Sequence, residues 1–171
     1  MESTGARVCA MRTMRVAVIT VSDSVSRNER QDTTGPAIAA LCTQNGWRVL
    51  SRHVVSDDEE PLRKLLSSLA DRDELDVILT AGGTGLGPRD LAPEATAAVC
   101  SKMVPGLGEL MRKEGRESNE QATLSRATSG VRGRTLIVNL PGSPRGAVES
   151  LQAIAALLPH AVEVLHGARH D

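Results

Sequence analysis

Phenylalanine and tyrosine are absent from the 171 residues, and Trp47 is the only aromatic side chain among Phe, Trp and Tyr. The core is therefore built from Leu, Val, Ile, Ala and Met. The absence also removes the stacking surfaces on which single-stranded nucleic-acid binders rely. A flat heterocycle bound by this chain must be held by backbone hydrogen bonds, aliphatic walls or guanidinium planes. No charge of one sign dominates, since 20 Lys and Arg face 21 Asp and Glu. That balance gives nucleic acid and anionic membranes no long-range attraction, and neither is expected as a partner. Cysteine is scarce: Cys9, Cys42 and Cys100 lie far apart with no C-x-x-C pair, which suits reduced thiols better than a disulfide framework. No apolar run reaches membrane-spanning length, and the opening MESTGARVCAMRT has no apolar segment of the kind a secretion signal carries. A cytoplasmic location is expected. Residues 1–13 are expected to form a frayed or extended segment, 14–166 one domain, and 167–171 a short tail.

What is present alternates. RVAVITV (15–21), WRVLSRHVV (47–55), DVILT (76–80) and RTLIVNL (134–140) read as strands. Thr34–Asn45 reads as a helix with Ile38, Leu41 and Cys42 inward and Gly46 as its C′ residue. The next helix starts at Asp57 or Asp58; Asp57 and Glu60 stand at capping-box spacing, and Leu62, Leu65, Leu66 and Leu69 form its apolar stripe. Pro93 suits the first turn of a helix running to about Lys102. Pro105–Gly106 breaks the chain before a helix from Leu107 to about Arg116, and Arg116–Gln121 is expected to be loop. Ser125–Val131 stays open between loop and short strand. Ser143 is placed to cap a final helix that Pro159 kinks on its way to Leu165. This order predicts a three-layer α/β domain: a mainly parallel central sheet covered by helices on both faces.

In a parallel sheet the strand-to-helix loops emerge at the carboxyl edge, where open α/β folds bind ligands. Here they read SDS (22–24), VSDD (55–58), AGGTGLGPRD (81–90) and NLPGSPRG (139–146). The third is longer than the roughly two to six residues of an ordinary connection. It matches neither familiar phosphate-loop template, lacking both the terminal Lys-Ser/Thr and the G-x-G-x-x-G spacing. Gly82, Gly83 and Gly85 can turn backbone N–H groups toward one point, or they can simply make a tight turn. Asp57 and Asp90 each follow a strand, and adjacent strands lie about 5 Å apart, so the pair can face Mg2+ and phosphate oxygens. The plainer alternative makes Asp57 a helix cap and Asp90 a turn former. Arg89, Arg126 and Arg145 are candidates for an anion clamp. His160 stands apart, and His166 and His170 are four residues apart like a metal pair, but no third ligand joins them and a solvated tail is expected.

Six stretches carry a resemblance: TVSDS (20–24), QDTTGP (31–36), LTAGGTGLGPRDLAPEAT (79–96), MVPGLGELMR (103–112), LSRATSGVRGRTLIVNLPGSPRG (124–146) and LPHAVEVL (158–165). Together, from about Met14 to Leu165, the chain resembles the molybdenum-cofactor family. That family includes the molybdopterin adenylyltransferases of the MogA type, the MoaB proteins and the N-terminal domain of gephyrin. The resemblance implies homotrimers, and a reaction in which ATP and molybdopterin, with Mg2+, give adenylylated molybdopterin and pyrophosphate. It implies that Asp57 and Asp90 are the catalytic, metal-positioning acids; Asp58 stays open as the alternative to Asp57, because the proline common before that acid is missing. It also implies pocket positions at Ser22, Asp23, Gly82, Gly83, Thr84, Ser125, Asn139, Pro141, Gly142 and Ser143, which the loop reading extends with Gly85, Arg89 and Arg126. Which of them face ATP and which the pterin stays open, as does a hand-over to a molybdate-inserting protein. Ala92 stands where Thr is frequent, which removes a helix cap there. The alternative activity is that of a MoaB-like relative that binds molybdopterin without adenylylating it. A scaffold of the gephyrin kind is disfavoured, since no long linker or second domain is expected in this chain.

Overall fold

The computed structural model describes residues 12–167. The expected segment 1–13 and tail 167–171 therefore fall almost wholly outside the described residues, as do Cys9 and His170. The elements run β1 (Arg15–Val21), α1 (Asp23–Ser26), α2 (Thr34–Gln44), β2 (Arg48–Val55), α3 (Glu59–Ala70), β3 (Val77–Ala81), α4 (Ala92–Val99) and β4 (Lys102–Met103). They continue with α5 (Pro105–Gly115), a 3-10 turn (Glu120–Leu124), β5 (Ser129–Arg132), β6 (Thr135–Leu140), α6 (Pro144–Ile154) and α7 (Leu158–Leu165). The strands form one sheet in the order β2-β1-β3-β6-β5-β4. Its first four members are parallel, whereas β5 runs antiparallel to β6 and β4 antiparallel to β5.

The two-residue period of the strands sorts the core into two layers. Val16, Val18, Val77, Leu79, Leu136 and Val138 belong to one, packed with Ile38 of α2, Met111 of α5, and Leu151 and Ile154 of α6. Ala17, Ile19, Ile78 and Ile137 belong to the other, with Leu62, Leu66 and Leu69 of α3 and Ala95 and Val99 of α4. Each fully buried Leu or Ile contributes about 1.5–3 kcal/mol of transfer free energy, so an aliphatic core suffices without Phe or Tyr. The expected three-layer α/β architecture is the one observed, and Gly46, at φ +76°, ends α2 as its C′ residue.

Several local expectations are corrected. The helix begun by Pro93 stops at Val99, and Lys102–Met103 is strand. There the Ser101 and Val104 N–H groups donate to the Val131 and Ser129 carbonyls, so sheet pairing overrides helix continuation. Pro105–Gly106 forms the first turn of α5 instead of preceding it. Arg116–Gln121 is not all loop, because Asn119 caps a 3-10 turn by accepting from the Gln121 N–H. Of the open segment Ser125–Val131, only residues 129–131 are strand, and β5 runs on to Arg132. The capping box at α3 does not form: Asp58 is the N-cap, and its carboxylate is taken by Ser56 and Arg89. Leu91, not Ala92, is the N-cap of α4.

No single described helix is long and apolar enough to cross a membrane, and the consecutive α6 and α7 bend by 63° at their break. Leu151, Ile154 and Leu158 of this pair are core residues.

Candidate active site

Four loops meet at the carboxyl edge, as parallel pairing requires. After β1, Ser22 starts α1, with its Oγ accepting from the Val25 N–H and its own N–H donating to the Val55 carbonyl at 2.9 Å. Asp23 and Asp57 bind each other's backbone: the Asp23 N–H donates to Asp57 Oδ2 at 2.9 Å, and the Asp57 N–H to Asp23 Oδ1 at 3.0 Å. Arg89 then donates through Nε and Nη2 to Asp23 and through Nη2 to Asp58. Its hydrogen bonds, followed by the Asp57 N–H, hold the Asp23 carboxyl below its ordinary range, while the two acids raise the Arg89 pKa.

The loop after β3 is fixed by close backbone approach. Gly82 has φ +112°, and a Cβ there would run into the Val21 carbonyl. Its N–H donates to the Leu140 carbonyl at 3.0 Å, tying this loop to the end of β6. The Gly83 carbonyl accepts from the Ala92 N–H as the chain enters α4. Asp90 closes the loop on itself, its Oδ2 accepting from the Gly87 N–H at 2.8 Å and its N–H donating to the Gly87 carbonyl. On β6, Asn139 is fully buried and donates to Thr80 and Thr96 hydroxyls, leaving its Oδ1 without a partner among the described residues. Beyond it the Gly142 carbonyl accepts from the Thr34 hydroxyl, and Ser143 caps α6 as expected.

Between the β3 and β6 loops opens a cavity of about 630 Å³. Gly83, Thr84, Gly85 and Asp90 line one wall; Pro141, Gly142 and Ser143 line another, and Ser125 a third. The structure thus brings together eight of the expected site residues. Ser22, Asp23, Asp57 and Arg89 form a neighbouring cluster, while Gly82, Arg126 and Asn139 lie behind the lining. The two acids are not on adjacent strands, because β1 separates β2 from β3. The two acids are linked instead through side chains: Asp57 and Asp23 exchange backbone hydrogen bonds, and Arg89, next to Asp90 in the chain, donates to Asp23. The three arginines are each engaged: Arg89 as above, Arg145 with Glu149, and Arg126 with Glu94 and loop carbonyls. His166 meets Asp76 at the opposite edge of the sheet, far from a ligand role at this site.

Sequence reasoning missed the remaining wall. Met111 and Arg112 of α5, Asn119, Gln121 and Leu124 around the 3-10 turn, and Glu149 of α6 also line the cavity. Met111 and Glu149 are signalled by facing helices of a layered fold. The residues of the 3-10 turn carry no periodic signal, since their place depends on where that turn docks.

No group of three or more His, Cys, Asp or Glu converges on a metal position among the described residues. Among the described residues, Asp57 Oδ1 and Asp90 Oδ1 nevertheless have no hydrogen-bond partner. One or two free carboxylate oxygens fit Mg2+, which keeps water and phosphate oxygens as its other ligands.

Comparison with known proteins agrees with this geometry. The pattern of a family described as "Probable molybdopterin binding domain" matches residues 17–160. A molybdopterin adenylyltransferase of Helicobacter pylori is 37% identical over 159 residues, covering 92% of this chain and 90% of that protein. The Escherichia coli molybdopterin adenylyltransferase is 32% identical over 174 residues, covering 92% and 88%. Among solved structures, the molybdopterin biosynthesis enzyme MoaB of Thermus thermophilus superposes with a TM-score of 0.86 at 49% identity, covering 93% of this chain and all of that one. An aliphatic α/β domain with this loop cluster and these relatives belongs to the molybdopterin-binding domain family of molybdenum-cofactor biosynthesis.

Proposed function

We propose that the chain is a molybdopterin adenylyltransferase, transferring AMP from ATP to the terminal phosphate of molybdopterin with release of pyrophosphate. The observation that carries this reading is one wall of the cavity. Asp90 stands there beside the backbone N–H groups of Thr84, Gly85 and Leu86, which have no hydrogen-bond partner among the described residues. Such donors suit phosphate oxygens, and the Ser143-capped start of α6 faces them from the β6 loop.

In this reading the terminal phosphate of molybdopterin attacks the α-phosphorus of ATP in line, a transfer that asks little covalent help of the protein. The loops hold the two substrates in register, and the inward N–H groups stabilise charge on the transferring phosphoryl group. Asp57 and Asp90 would hold Mg2+, which supplies charge neutralisation when bound. Leu86 and Leu124, both exposed and both lining the cavity, offer aliphatic surface to a heterocycle.

Two extensions rest on the family resemblance: a homotrimer, and hand-over of the product to a molybdate-inserting protein. A cytoplasmic setting is supported by Cys42 and Cys100, both free. The second reading, a binding protein without transferase activity, draws on the similarity to a MoaB protein. Calorimetric titration separates the two: the transferase binds Mg-ATP as well as molybdopterin, and a binding-only relative takes up molybdopterin alone.

A further inference from the structure

We propose that Arg126 is a positioning residue that aims two backbone N–H groups of the 81–90 loop at an anionic phosphoryl group, instead of meeting that anion itself. The inference rests on the reading that a phosphate-bearing substrate enters the cavity.

Arg126 lies between the 3-10 turn and β5 and is not among the residues lining the cavity. Its backbone N–H donates to the Thr84 carbonyl at 2.8 Å and its Nε to the Gly85 carbonyl at 2.8 Å. Its Nη2 reaches the Asp90 carbonyl, and its Nη1 the carboxylate of Glu94 in the first turn of α4. All three guanidinium nitrogens are thus committed to the loop and to the helix that follows it.

The consequence follows from peptide geometry. No peptide bond is cis among the described residues, and in a planar trans peptide the N–H points opposite to the C=O. Holding the Thr84 and Gly85 carbonyls on Arg126 therefore turns the N–H groups of Gly85 and Leu86 to the other side. Both of those residues line the cavity, and neither N–H has a partner among the described residues. Donors fixed in this way need no reorganisation when charge arrives. At Gly85 a Cβ would stand 2.7 Å from Asp90 Oδ2, so a side chain there would displace the Asp90 carboxylate. Glu94 also holds the guanidinium, so removing its charge loosens Arg126 without adding or removing a donor in the cavity.

A lysine keeps the charge but cannot reproduce the planar fork that engages two carbonyls and a carboxylate. The test is therefore calorimetric titration of Mg-ATP into the full chain and into Arg126→Lys and Glu94→Gln, with thermal unfolding run alongside. A positioning role predicts ATP binding weakened roughly tenfold in both variants, as expected for misaimed hydrogen bonds to a charged group. If Arg126 met the phosphate directly, Arg126→Lys would retain affinity, and Glu94→Gln would bind ATP as tightly as the unaltered chain or more tightly. Either result overturns the positioning role. Should Arg126→Lys fail to fold, the sign of the change in Glu94→Gln decides alone. If the unaltered chain binds no ATP, the nucleotide reading falls, and the role of Arg126 with it.

Discussion

Asp23 and Asp57 cap one another, each carboxylate accepting the other's backbone N–H, at 2.9 and 3.0 Å. This exchange locks the loop after β1 to the loop after β2, and Arg89 ties both to the loop after β3. Asp57 is therefore oriented before any substrate arrives, with one oxygen in use and the other without a partner among the described residues. An Asp57→Asn side chain keeps an oxygen for the Asp23 N–H but loses the charge. Pyrophosphate release is expected to fall by about 100-fold or more in Asp57→Asn and in Asp90→Asn, the scale of losing a fixed electrostatic contact in a transfer reaction. Circular dichroism should stay that of the unaltered chain. Near-normal turnover in both variants would remove the catalytic role of the pair.

Gly82 makes the tight backbone turn that opens the loop after β3. Its φ of +112° is strained for any other residue, and a side chain there would strike the Val21 carbonyl. Gly82→Ala should cost at least about 1–3 kcal/mol in urea unfolding from backbone strain alone. Gly133, at φ +58° with open space within 4 Å of where a methyl would stand, gives the comparison: Gly133→Ala should cost less.

Asp76 controls acid stability from the opposite edge of the sheet. It is 1% exposed and is met by Arg15, Arg12 and His166. Burial alone would raise its carboxyl; the Arg15 hydrogen bonds and the charges of Arg15 and Arg12 outweigh that and hold it below its ordinary 3.8. A depressed carboxyl stabilises the fold above the unfolded pKa, and the contribution is lost as pH falls through the folded one. Asp76→Asn should therefore cost on the order of 3 kcal/mol at neutral pH, with the difference shrinking below about pH 4. A gap in urea midpoints that stays constant across that range would contradict the account.

Trp47 is almost buried and lines a separate cavity at the amino edge, with Arg12, Asp76 and His166. Its fluorescence should not change when ATP or molybdopterin binds at the carboxyl edge. Heterocycle contact should instead fall to Leu86 and Leu124. Replacing either by Ala should raise one substrate's KM by roughly tenfold with little change in kcat, as expected for losing about 1.5 kcal/mol of leucine burial. The substrate affected identifies which ring each leucine faces.

Much of this structure is legible in the sequence, because β-branched runs, Gly46, Ser143 and the Leu62–Leu69 stripe all act locally. The carboxyl-edge loops are legible for a related reason: strand direction fixes where they emerge. What is hidden depends on packing between distant segments. Strand order decides that β1 lies between the strands preceding Asp57 and Asp90. Docking of β4 onto β5 decides that α4 ends at Val99. The role of Arg126 is likewise invisible until the Thr84 and Gly85 carbonyls are seen on it.

The most direct test of the central claim is pyrophosphate release from Mg-ATP by the purified chain, with and without molybdopterin. The account predicts release that requires molybdopterin, saturates with both substrates and yields adenylylated molybdopterin in equal amount. Tight molybdopterin binding with no pyrophosphate release would contradict it.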